Sequence, residues 1–200
     1  MKSKIVLLLL TAWWPLSMLA DKWPPPRVQD YYSSDRNYFV RVFPRTVPEK
    51  YYKWQQAAPK QKRRFSAQDT VIVPCYAVLF ARTGSSPRMI WRQNLVNQVA
   101  PVEAMVSDDG KYVVTFNNHH SVGYGQDVMV VYNHQGSLLR QYNLEQISPF
   151  PLNRYLASRS SIWWQCKTSL VEAGKLKLCF VTRDSVTQSK VYSLAKLDFE

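Results

Sequence analysis

The sequence predicts an all-β fold of antiparallel four-stranded meanders behind a cleavable secretory leader. Three observations carry that prediction. Residues 100–149 alternate with a period of two between tight turns. One of those turns, Asp108-Asp109-Gly110-Lys111, is the Asp-Gly signal of a hairpin, with Gly110 expected at positive φ. The same pattern then recurs along the chain. With 46% hydrophobic, 14% aromatic and 20% charged residues among 200, the chain has the apolar content for a core and the length for one domain. A large multidomain enzyme and wholesale disorder are both excluded.

Taken in order, Lys2 and Lys4 precede an apolar run over 5–14, then Pro15 and Ser17-Met18-Leu19-Ala20. That is the charged, apolar, small-residue order of a signal peptide over 1–20, with cleavage expected after Ala20. Broken by Pro15, the run falls short of the roughly 20 apolar residues that span a bilayer. The expectation is a secreted or periplasmic protein with no transmembrane domain. Asp21 stands where a bacterial lipid anchor would need Cys. Residues 21–29, with Trp23-Pro24-Pro25-Pro26, read as an extended Pro-rich arm, and 30–200 as a single β-rich domain.

Inside that domain, strands are expected over 102–107, 112–117, 127–132 and 137–144, a four-stranded meander. Tyr112-Val113-Val114-Thr115-Phe116 and Val128-Met129-Val130-Val131-Tyr132 are apolar at both parities, so both faces of this sheet should be covered. Its neighbours show as repeats. Trp91-Arg92-Gln93-Asn94-Leu95 returns as Leu139-Arg140-Gln141-Tyr142-Asn143-Leu144, and Ser33-Ser34-Asp35-Arg36-Asn37-Tyr38 echoes Val106-Ser107-Asp108-Asp109-Gly110-Lys111-Tyr112. The units are 30–99, with a basic insertion at 45–66 between its second and third strands, then 100–149, then a partial unit over 150–200.

The Ser-Asp-Asp-Gly-Lys-Tyr turn, the aromatic-tipped strand and the closing Trp/Leu-Arg-Gln strand resemble a blade of bacterial β-propeller repeat proteins. That resemblance implies two to three stacked blades. Rings close with about four to eight blades, so the chain is expected as an open blade stack, a sandwich of blade-like meanders, or part of an oligomeric ring.

Cys166 and Cys179 fall almost opposite one another if 161–168 and 175–182 form a hairpin, which predicts a cross-strand disulfide. Cys75, in an apolar run, is expected as a buried thiol. No Gly-x-Ser-x-Gly, phosphate loop, His-Glu-x-x-His or dinucleotide fingerprint occurs, so no catalytic residue, cofactor or metal is assigned.

Two constellations remain. The polar loop at 117–127 offers Asn117, Asn118, His119, His120, Tyr124 and Asp127 as ligand-binding candidates; the alternatives are a metal- or ligand-dependent hydrolase using these histidines, or a loop whose amides serve only the backbone. The second interleaves rings and cations: Lys53, Trp54, Lys60, Lys62, Arg63 and Arg64. Between Arg36 and Arg64 nine basic residues meet one acid, Glu49, in a chain whose net charge is +12. Such a mixture suits polyanions, with acidic polysaccharide, anionic lipid surface or extracellular DNA as partners, a protein partner or a solvated loop being the alternatives. The function expected is therefore that of an exported non-catalytic binding or scaffold protein.

Overall fold

Two turns, at 33–38 and 107–112, close on one set of hydrogen bonds in the computed structural model, which describes residues 23–200 except 83, 85 and 173. In each, the serine hydroxyl donates to an aspartate Oδ1 (Ser33 to Asp35, Ser107 to Asp109, both 2.7 Å) and accepts from the tyrosine N–H (Tyr38 and Tyr112, both 3.0 Å). The same oxygens accept the Asn37 and Lys111 N–H groups at 3.0 Å. The residue between is thereby forced into the left-handed region, Arg36 at φ 60° and Gly110 at φ 66°. A Cβ on Gly110 would also strike the Tyr38 ring of the neighbouring sheet, so glycine is required there twice over.

From these turns the strands follow in chain order. The first sheet comprises β1 (Gln29–Tyr32), β2 (Tyr38–Phe43), β3 (Tyr76–Ala81) and β4 (Arg88–Asn94); the second comprises β5 (Pro101–Val106), β6 (Tyr112–Asn118), β7 (Met129–Asn133) and β8 (Leu138–Tyr142). A two-stranded ribbon, β9 (Leu156–Ala157) with β10 (Ile162–Trp163), precedes a third four-stranded sheet of β11 (Ser169–Glu172), β12 (Lys175–Val181), β13 (Thr187–Ser193) and β14 (Asp198–Phe199). Every pairing is antiparallel between sequence neighbours, and no sheet closes into a barrel. The protein is all-β, a stack of blade-like meanders.

The central sheet is covered on both faces, as its pattern predicts. Val113, Val130 and Tyr132 pack with Val40, Val42, Leu79 and Trp91 of the first sheet, while Val114, Phe116, Met129 and Val131 pack with Leu176, Leu178, Phe180 and Tyr192 of the third. Alternate residues of one strand thus feed two separate cores. Trp164 is fully buried against Phe180 and its neighbour Trp163 is 47% exposed, one ring on each side of the chain.

Three details depart from the expected outline. The excursion between β2 and β3 folds into short helices, α1 (Tyr51–Gln56), α2 (Pro59–Lys62) and α3 (Ala67–Thr70), pinned at its base by the Thr46–Val73 bridge. The last unit is a complete sheet because β11 and β14 add four and two residues, too short to show a period. The single strand expected over 161–168 is divided: Ile162–Trp163 pairs with β9, and pairing with β12 resumes at Ser169. The Gln165–Phe180 bridge nevertheless keeps Cys166 opposite Cys179, and the two form a disulfide with Cα atoms 5.1 Å apart. Cys75 is a buried free thiol, its pKa pushed up to about 12 by burial. The leader expected over 1–20 lies outside the described residues.

Candidate functional site

The 117–127 loop turns inward more than outward. Asn117, in the left-handed region at φ 56°, is buried, and its Oδ1 accepts from the Gly123 N–H and the Trp164 Nε1–H, both at 2.9 Å. Asn118 Oδ1 accepts from the Val99 N–H at 2.9 Å and the Ala100 N–H at 3.3 Å. Asn117 thus ties the loop to Trp164, and Asn118 ties it to the chain entering β5. Tyr124 donates to the Ser158 carbonyl at 3.0 Å. Asp127 accepts from the Asn97 amide, and burial pushes its carboxyl up from the ordinary range.

The remaining two side chains do not join them. His119 faces the Pro-rich arm, its ring 5.0 Å from Trp23, whereas Asn118, Tyr124 and Asp127 border a separate hollow shared with Gln98, Gln126 and Gln141. Burial, then the charge of His120, pushes His119 below the usual imidazole value. Its Nδ1 and the Trp23 Nε1 are buried without hydrogen-bond partners. Among the described residues no three His, Cys, Asp or Glu side chains gather as metal ligands.

The basic insertion lies on the surface: none of the three helices of the excursion buries a residue, although Tyr51, Trp54 and Lys62 are half-buried. Proline at the first position starts α2, where its missing N–H leaves no bond unmade. Asp69 accepts from the Ser66 N–H and hydroxyl and pairs with Lys50 at 3.1 Å, bonds that lower its carboxyl to about 2 and tie the start of α1 to α3. Lys53 and Arg64 border one hollow with Lys50, and Asp69, already engaged by Lys50, is its one acid. Lys60 and Arg63 are exposed, and Lys62 lies 5.1 Å from the Trp54 ring centre. The structure thus brings Lys53 and Arg64 to one hollow and pairs Lys62 with Trp54.

A surface outside both constellations also joins rings to cations. Because Val40, Val42, Ala77, Leu79 and Trp91 point to the core, alternation turns Phe39, Arg41, Phe43, Tyr76, Val78 and Phe80 to the outer face of the first sheet, with their pairing partners Tyr32, Asp30, Met89 and Arg92. Tyr32, Phe39 and Phe80 stack in a row at centroid distances of 5.3 and 4.8 Å, and Phe43 stacks on Tyr76 at 4.5 Å. Arg41 lies over Phe39 and Phe80, locked there by two bonds to Asp30 of 2.6 and 2.7 Å; Arg92 lies 4.3 Å from the Tyr76 centre. The both-parity apolar pattern of β2 and β3 is the signal that points to this face: in a terminal sheet it leaves rings on a side where no further sheet packs, and they cover one another instead. No helix among the described residues is long and apolar enough to cross a membrane. Comparison with protein-family models, curated proteins and solved structures finds no match to this chain.

Proposed function

We propose that this chain is an exported, non-catalytic binding protein of the propeller-blade type, and that its first unit holds polyanions. The observation that carries the reading is the placement of cations: Lys53, Lys60, Arg63 and Arg64 stand exposed on and beside short helices that bury nothing, and Lys53 and Arg64 border a hollow whose one acid is already engaged by Lys50. Cations so placed are free to displace counterions from a polyanion, which makes binding fall steeply with salt. The 166–179 disulfide fits an oxidising compartment, and with it the leader. Against hydrolysis by the 117–127 loop stands the commitment of Asn117 and Asn118 to backbone and indole donors, with His119 facing away from Asp127's hollow.

Retention on a heparin column tests it. Replacing Lys60, Lys62, Arg63 and Arg64 by Ser should lower the eluting salt far more than replacing the exposed Arg159, Lys167, Lys177 and Arg183, an equal charge elsewhere. Equal loss from the two sets would mean that net charge alone acts.

A further inference from the structure

Opposite the end of the first sheet from which the insertion springs, three arginines converge. The hollow there, of about 510 Å3, is lined by Tyr32, Arg36, Phe39, Arg41, Arg82 and Pro87, with no acid among them. Tyr38 pairs with Ala81, and the Arg82 N–H bonds the Asn37 carbonyl at 2.7 Å, which brings the turn that holds Arg36 beside Arg82, just past the end of β3. Neither guanidinium has an ion-pair partner among the described residues. Asp35, next in sequence, spends its carboxylate on Ser33 and Asn37, and Asp108 accepts from the Asp35 N–H.

Arg36 is also conformationally misplaced for anything but its side chain. It stands at φ 60°, the position that Gly110 fills in the matching turn. A left-handed backbone disfavours a residue with a Cβ, so glycine would serve the turn better. The guanidinium is what arginine adds, and it lies 5.9 Å from the Tyr32 ring centre.

We propose that this hollow binds the sulfate or carboxylate groups of an acidic sugar chain, an inference that rests on the polyanion reading above and adds a second, structured site to the insertion. Guanidinium forks match planar or tetrahedral oxyanions with paired N–H donors, and an arginine lying over a ring keeps its in-plane donors free. Tyr32, 48% exposed, offers a flat apolar face beside them for the body of the sugar. Single-stranded nucleic acid calls for a succession of open rings on which bases stack. Here Phe39 and Phe80 are closed by one another and by Arg41, leaving Tyr32 alone. A second copy stacking on this face through its third sheet would bring cations to cations, since Lys177 points outward there.

The test uses the full mature chain, a heparin-derived oligosaccharide, a sulfate-free uronate oligosaccharide, an oligonucleotide of equal charge and vesicles of anionic lipid. Arg36→Gly with Arg82→Gln should weaken oligosaccharide binding about tenfold or more and lower the salt slope by about two, one for each lost contact. The melting temperature of the double variant, expected to be unchanged or raised because glycine suits φ 60° at position 36, separates a lost contact from a lost fold. Tyr32→Ala should weaken sugar binding several-fold with the slope unchanged. If the arginine pair leaves binding intact while the four-residue insertion variant abolishes it, this site falls and the polyanion reading stands. Unchanged binding in both variants overturns both. Tighter binding of the oligonucleotide or the vesicles than of either sugar chain, indifferent to Tyr32→Ala, overturns the sugar as occupant.

Discussion

At one end of the stack the sheet β1–β4 turns outward Tyr32, Phe39, Phe43, Tyr76 and Phe80 with Arg41 and Arg92 laid over rings; at the other, β11–β14 turns outward Lys177, Val181, Thr187, Ser189 and the disulfide. Both faces lie beyond the cores, yet five of the six cation–π pairs among the described residues have their ring between 32 and 80. An ordinary solvated face needs no rings, and the outer face of the third sheet does without them, its rings Phe180, Tyr192 and Phe199 packing on the core side. Contiguous rings with arginines laid over them are what the proposed binding draws on. The difference teaches that repetition of the blade sets the core, while the outer faces of the two terminal sheets are free to diverge; the binding proposed above rests on what the first of them carries.

The comparison breaks most visibly through two phenylalanines on inner strands of the two terminal sheets. Phe180 is fully buried between the second and third sheets, whereas Phe80 is half-buried on the outer face of the first. Phe180→Ala should cost about 3–5 kcal/mol in chemical denaturation, as core truncations do, and Phe80→Ala about 1–2 kcal/mol from the area it covers. Equal losses would mean that the outer face is another core.

The paired turns sharpen the contrast at a smaller scale. Gly110→Val should cost about 1–2 kcal/mol, because a branched side chain is strained at φ 66° and meets the Tyr38 ring. Arg36→Gly, at the same place in the first sheet, should leave thermal stability unchanged or raise it. Parallel losses at both positions would show that Arg36 serves the turn and not the face.

A still smaller effect lies between the two ends, at the arm. His119 has its pKa lowered from 6.5 by burial and by His120, so the folded state prefers the neutral ring. Its contribution to stability is complete above the ordinary value of 6.5 and is lost as the pH falls from there through the lower folded value. Melting temperatures of the native chain should therefore drop from about pH 8 toward about pH 5 more than those of His119→Gln. Asp127 and Glu103, both raised by burial, act in the opposite sense, and in both chains alike. Identical profiles would remove the arm contact from the account.

How much of this could be read beforehand depended on period and turn chemistry. The central meander was legible because Asp-Gly and both-parity strands report hairpin and burial together, and the Cys166–Cys179 bridge followed from a symmetric hairpin. The short helices escaped because four to six residues carry no amphipathic period, and they bury nothing that would create one. For the 117–127 loop, residue types named the polar atoms and left their direction open; Asn117 and Asn118 point to Trp164 and to the Val99 backbone. The arginine hollow escaped because Arg36 and Arg82 are 46 positions apart and meet only through the β2–β3 register.

Hydrogen exchange of the native chain with and without a heparin-derived oligosaccharide tests the central claim most directly, since it compares both ends of the stack in one sample. Binding through the first unit predicts slowed exchange over 36–41, 51–64 and 76–92, with 175–193 unchanged. Protection spread equally over both terminal sheets, or confined to β12 and β13, would contradict it.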